Sequence, residues 1–146
     1  MSDLPNRRYA DMTPDYIARC LTGDWIAVLP LGATEQHGPH LPPDTDWIIA
    51  DGVVANVLQL LPELMPVTFL PTERVGYSRE HTNRPGAATL TYDGAIGRWI
   101  EIGEQLYAQG IRKFVMLNAH GGNAPLMTIV ATELRARLRM LAVATS

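Results

Sequence analysis

Trp25-Ile-Ala-Val-Leu-Pro-Leu31, followed by Gly32-Ala-Thr-Glu-Gln-His-Gly-Pro-His40, is the stretch on which the fold turns. Its first half is apolar without a polar alternation, and it contains the β-formers Ile26 and Val28. That pattern suits a strand covered on both faces, as strands of a parallel sheet are. Pro30 is tolerable there only at the strand end. The second half is a polar, Pro-rich loop that continues to Thr45.

Outward from this strand, the same alternation of strand and helix repeats. Thr13-Pro14-Asp15 predicts a helix start, with Thr as N-cap and Pro in the first turn; the helix runs through Ile17 and Leu21 and stops at Gly23. After the loop, Asp46 reads as the N-cap of a second helix. Its apolar stripe is Ile49, Val53, Val57, Leu60 and Leu61, and Pro62 ends it. Met65 to Leu70 is a second strand. Pro71 to Tyr92 is long and irregular, a length that compact domains usually reserve for functional or mobile loops. Asp93 reads as the cap of a third helix with Ile96, Trp99, Ile100, Gly103, Leu106 and Tyr107 inside, and Gly110 falls where a left-handed residue closes such a helix. Lys113 to Asn118 is a third strand and Ala119 to Gly122 a tight loop. Asn123 reads as the cap of a fourth helix that tolerates Pro125 in its first turn. Leu126, Ile129, Val130, Leu134 and Leu138 form its apolar face, with Arg135 and Arg139 toward water. Met140 to Ser146 starts a fourth strand. The expectation is an α/β fold with a mainly parallel sheet.

The 146 residues are 47% apolar and 18% charged, which suits one domain with a real core. With 12 Lys plus Arg against 15 Asp plus Glu, the net charge is -3 and no basic footprint for nucleic acid or an anionic membrane exists. The single cysteine, Cys20, excludes an internal disulfide framework and a thiolate-rich zinc site. Met1 to Ala10 is polar, without an apolar stretch of signal-peptide length, and the other apolar runs are broken too soon to span a bilayer. A cytoplasmic protein is expected. Because a terminal strand of a parallel sheet needs a cover on each face, the chain is also expected to be the N-terminal portion of a longer domain, truncated on its C-terminal side.

Open parallel sheets place ligands at the carboxyl ends of their strands. Two such ends are rich in ligating side chains. The first carries Glu35, His37 and His40, then Asp44 and Asp46; the other carries Asn118, His120 and Asn123. Glu35 and His37 stand two apart in an extended segment and share a side. Together with Asp46 and His120 they supply oxygen and nitrogen donors suited to zinc or manganese. Asp46 has two oxygens, enough to bridge two metals about 3.5–4 Å apart. Taken singly, each has a plainer role: a hydrogen-bonded loop histidine, a helix cap, a solvated carboxylate. The set is what points to a cation, because buried charges without partners cost several kcal/mol each. Rival motifs fail. Gly32 to Gly38 is not G-x-G-x-x-G, and Glu35 would repel a pyrophosphate. No G-x-S-x-G elbow supports Ser78 as a nucleophile. Cys20, Trp25, Trp47 and Trp99 read as packing or interface residues.

Leu29-Pro-Leu-Gly-Ala-Thr-Glu35-Gln-His37-Gly-Pro-His-Leu-Pro-Pro-Asp-Thr-Asp46 resembles the signature of the creatininase family. Tyr77-Ser-Arg-Glu-His81 with Pro85-Gly86 and Thr89-Leu90 resembles its next block, and Asn118-Ala-His120-Gly-Gly-Asn123 the third. The resemblance implies a three-layer α/β sandwich, usually a homohexamer, and a zinc- or manganese-dependent hydrolase of cyclic or linear amides with a two-metal centre. Carried over by position, Glu35 and His120 would hold one metal, His37 the other, and Asp46 would bridge them. His81 is the expected proton donor to a leaving amine. Ser78, Glu80, Asn123 and, less centrally, Arg84 are expected substrate contacts.

One departure matters. The family's creatinine hydrolases carry a further ligand, a Glu, two residues after the last His, where this chain has Gly122. Related branches take that carboxylate from a later block, expected beyond Ser146. The Gly argues against creatinine and leaves formamides or a modified precursor peptide as substrates. The competing expectation is a catalytically incomplete subunit that keeps the fold and part of the metal site.

Overall fold

The computed structural model describes residues 4–146; the first three residues of the polar N-terminal stretch lie outside it. Strands β1 (Ile26–Leu31), β2 (Val67–Phe69), β3 (Lys113–Asn118) and β4 (Leu141–Thr145) alternate with helices α1 (Pro14–Cys20), α2 (Thr45–Leu60), α3 (Tyr92–Ala108) and α4 (Ala124–Leu138). The strands form one all-parallel sheet in the order β2-β1-β3-β4. Helices cover both faces, so the expected α/β class and parallel sheet are found.

The central strands are the most apolar because they are buried twice. Ala27, Leu29 and Leu31 of β1 and Phe114 and Met116 of β3 pack against Trp99, Leu106, Val130 and Leu134 of α3 and α4. On the opposite face Val28, Val67 and Phe69 meet Val54, Val57 and Leu61 from α2 and its end. Pro30 sits inside β1, paired in register with Leu117 of β3, and not at the strand's tip. It is tolerated because β2 has ended at Phe69, so the missing N–H faces a gap in the ladder. The Pro30 carbonyl still accepts from the Glu73 N–H at 2.9 Å.

Four local expectations shift. Asp46 is not the cap of α2: Asp44 holds that position and Asp46 lies in the first turn. The inward stripe of α2 is Ala50, Val54 and Val57, while Ile49, Val53 and Leu60 are exposed. This helix is apolar nearly all round, so periodicity alone does not choose the buried side. On α4, Met127 and Ala131 are buried where Ile129 was expected, and Ile129 is exposed. Finally, Thr91 caps α3 in place of Asp93, accepting the Gly94 N–H at 3.1 Å. The Thr13 cap and the positive φ of Gly110, 104°, are found as expected. Among the described residues, no helix is long and apolar enough to cross a membrane.

Register places the site. Leu31 lies opposite Asn118, and the Ala119 N–H donates to the Leu31 carbonyl at 2.9 Å. The two ligand-rich loops therefore leave the sheet side by side. Helix α2 is pressed onto the first of them: a Cβ on Gly32 would lie 2.5 Å from the Trp47 Cα, so only glycine lets the helix start sit over the strand end.

Thr91→Ala removes the α3 cap and is expected to lower stability by about 1 kcal/mol, read as a lower denaturant midpoint at unchanged slope. The neighbouring Asp93 carboxyl is held below its ordinary pKa by the Thr91 hydroxyl first, then by the N–H groups of Gly94 and of Asp93 itself. Its contribution is present above the ordinary carboxylate range and is lost as pH falls through the depressed value. Asp93→Asn should flatten that acid limb of the stability profile.

Candidate metal centre

Glu35 follows β1, Asp46 opens α2, and His120 follows β3. All three are buried, with 6%, 7% and 8% of their surfaces exposed. Their ligating atoms lie within 4.8 Å of one another. The His120 Nδ1 stands 2.9 Å from one Asp46 oxygen, Oδ2, and 3.2 Å from Glu35 Oε1. The other Asp46 oxygen, Oδ1, lies 2.8 Å from His37 Nε2. Asp46 thus stands between two imidazoles, one on each oxygen.

The far nitrogen of each ring decides the chemistry. His120 Nε2 is 2.9 Å from the Tyr77 carbonyl, and His37 Nδ1 is 2.9 Å from the Glu35 carbonyl. A carbonyl oxygen has no proton to give, so each of these nitrogens donates an N–H. In a neutral ring the opposite nitrogen then carries a bare lone pair, and both lone pairs aim at carboxylate oxygens. Acceptor against acceptor is repulsive in a buried place unless a cation lies between. A proton meets the need at His37. Burial alone would lower its pKa, but the Glu35 carbonyl and the Asp46 carboxylate outweigh burial and raise it. A divalent ion meets it at both rings. Donors on a four-coordinate zinc with bonds of about 2.0–2.1 Å stand roughly 3.3 Å apart, so the 2.9 and 3.2 Å contacts need open only by a few tenths of an ångström. The remaining Glu35 oxygen, Oε2, is buried without a hydrogen-bond partner. The donor set fits such an ion.

A cavity of about 540 Å³ opens against these groups, lined by Glu35, Tyr77, Ser78, Arg79, Glu80, His81, His120, Gly121, Gly122 and Pro125. That volume is in the range of small-ligand sites. His81 stands at its edge with Nε2 3.6 Å from Glu35 Oε2. The Ser78 Oγ is 3.3 Å from His120 Nε2, and the Glu80 side chain is exposed at the mouth. Asn123, expected against substrate, is elsewhere. It is fully buried; its Oδ1 accepts from the Tyr77 N–H at 3.0 Å, and its Nδ2 donates to the Gly32 carbonyl at 3.0 Å and to Asn118 Oδ1 at 3.2 Å. Its role is to tie three loops together. It does not cap α4 with its side chain either. Arg84 does not line the cavity, and His40 is exposed.

Several positioning groups left little trace in the sequence. Asn118 clamps the third loop, accepting the His120 N–H and donating to the His120 carbonyl. The Tyr77 carbonyl orients His120 through its backbone, which no residue type advertises. Gly122 is a matter of space: a Cβ there would stand 2.5 Å from both His120 Nε2 and the Tyr77 oxygen. In this arrangement no side chain at position 122 can join the ligands.

A family model for creatinine amidohydrolase matches residues 10–146. The chain belongs to the creatininase family. The mycofactocin precursor peptide peptidase of Mycobacterium tuberculosis is 37% identical over 118 residues, 77% of this chain and 47% of that protein. A 2-amino-5-formylamino-6-ribosylaminopyrimidin-4(3H)-one 5'-monophosphate deformylase of Methanococcus maripaludis is 32% identical over 110 residues, 75% of this chain and 45% of its own length. Among solved structures, "Creatininase Mn" superposes with a TM-score of 0.79 at 26% identity, covering 97% of this chain and 58% of that one. The chain therefore spans about half the length of the curated relatives it matches.

Asn123→Ala removes the tie and leaves the buried Gly32 carbonyl and the part-buried Tyr77 N–H without partners; a loss of about 3 kcal/mol is expected in denaturant unfolding. Gly122→Ala should cost about 1–3 kcal/mol by overpacking against His120.

Proposed function

We propose that this chain carries the metal-binding part of a creatininase-type hydrolase acting on an amide or formamide carbon–nitrogen bond, with zinc or manganese as cofactor. The observation that supports it is the Asp46 carboxylate held between two imidazoles whose lone pairs are turned toward it by the Tyr77 and Glu35 carbonyls. Glu35, Asp46 and His120 would hold one ion, and His37 with the other Asp46 oxygen a second. A bound ion supplies Lewis acidity and lowers the pKa of a water to near neutrality.

The chain's own groups do the rest. The Tyr77 and Glu35 carbonyls keep His120 and His37 in their ligating tautomers. Ser78 and the loop around it close one side of the cavity. His81 presents Nε2 to that cavity, where its N–H can donate a hydrogen bond to the substrate's amide group. Formamides, cyclic amides and peptide-like amides all remain in the proposed substrate class, since relatives named for a peptidase and a deformylase align over three quarters of the chain. Assembly of several copies is proposed on the family resemblance alone, and light scattering on the purified chain reads it.

A second reading, a partial site without turnover, is favoured by one observation. Among the described residues the second ion would find only His37 and Asp46, and Gly122 leaves no room for another ligand. The readings separate on turnover of a formamide and cyclic-amide panel with added Zn²⁺ or Mn²⁺: sustained activity excludes the partial site.

Titration of the metal-free chain should show one tight ion per chain and a second held weakly, by calorimetry and elemental analysis. Asp46→Ala should abolish both, and His37→Ala only the weaker. No retained metal in the unsubstituted chain would overturn the reading.

A further inference from the structure

Glu35 and His37 are absorbed by the metal centre, but the residue between them is not. Gln36 is half-buried and reaches two partners. Its Oε1 accepts the Gly38 backbone N–H at 3.0 Å. Its Nε2 lies 3.4 Å from His81 Nδ1. We infer that Gln36 is a positioning residue that sets the tautomer and aim of His81, so that the His81 Nε2–H faces the cavity and the orphaned Glu35 oxygen.

The chain of donors has only one solution. A backbone N–H can face only an acceptor, so the Gly38 contact settles which end of the Gln36 amide is oxygen. The amide NH₂ then points at His81, and since an NH₂ donates, His81 Nδ1 must accept. A neutral imidazole carries one N–H, so it sits on Nε2. That atom lies 3.6 Å from Glu35 Oε2, the buried carboxylate oxygen without a hydrogen-bond partner. A donor is thereby aimed toward a buried acceptor that has no hydrogen-bond partner, at the wall of the cavity. The role it serves is hydrogen-bond donation: the neutral ring keeps its Nε2 proton, whose loss would leave an imidazolate, and offers it to an acceptor atom of the substrate. An imidazole turned over would present a lone pair to that acceptor and could not donate to it.

This inference rests on the proposed hydrolase reading, and its test separates the two. In the metal-free, ¹⁵N-labelled chain, at a pH well above the ordinary imidazole range, the His81 ring nitrogens should show the proton on Nε2. Gln36→Glu places an acceptor against Nδ1 and should move the proton there. Gln36→Met, of similar volume but without a donor, should lower kcat at least fivefold at unchanged KM and unchanged metal content, on whichever formamide or cyclic amide the unsubstituted enzyme turns over. In a His81→Ala background the same Gln36→Met change should have no further effect on kcat. A His81 proton on Nδ1 in the unsubstituted chain, or an equal Gln36→Met effect with and without His81, overturns the inference. If the chain has no turnover at all, the hydrolase reading falls, while the nitrogen resonances still decide the role of Gln36.

Discussion

The centre of this molecule depends on an arrangement that opposes itself electrostatically. Two imidazole lone pairs converge on one buried carboxylate, and a second carboxylate stands beside them. In water such groups would turn away or be solvated. Here they are held, because each ring's other nitrogen is hydrogen-bonded to a backbone carbonyl, Asp46 is fixed in the first turn of α2, and Glu35 follows β1. The cost of holding acceptors together out of water is several kcal/mol per uncompensated charge. A cation would remove that cost, and this geometry is the ground on which the metal centre is proposed.

The fold supplies the rigidity. A parallel sheet aligns the carboxyl ends of its strands, so two loops distant in sequence begin as neighbours. The in-register pairing of Leu31 with Asn118 sets their starting points. The contact of the α2 start with Gly32 sets the third, carrying Asp46 in over the strand ends. Asn123 then joins the loops, its amide groups shared among Gly32, Asn118 and Tyr77. Stability and function meet at this point. The core on the α3–α4 face holds the strands, and the strand ends and the α2 start bring the candidate ligands together.

Much of this was legible beforehand. The strands β1 and β3 announced themselves by uninterrupted apolar runs, and the ligand candidates by residue type at strand ends. The errors share a cause. Asp93 and Asp46 were read as caps because acidic residues favour helix starts, but the choice among adjacent Thr91, Asp93, Asp44 and Asp46 is made by where the preceding loop enters, which is a tertiary matter. The side of α2 that faces inward was missed because that helix has apolar residues on most of its circumference. Asn123 looked like a substrate contact because it sits in a ligand-rich motif, whereas it is fully buried, with both amide protons and its oxygen bonded to neighbouring loops.

By itself, the order of residues determined which elements form, that the sheet is parallel, and which four side chains have the donor chemistry for a divalent ion; these follow from local periodicity and from the functional groups. Only the tertiary structure decided which nitrogen of each imidazole is free, that Asp46 stands between two rings, that position 122 has no room for a side chain, and that Gln36 faces His81. Those facts depend on the meeting of backbone carbonyls and loops far apart along the chain, and a carbonyl has no residue type by which a sequence could show it.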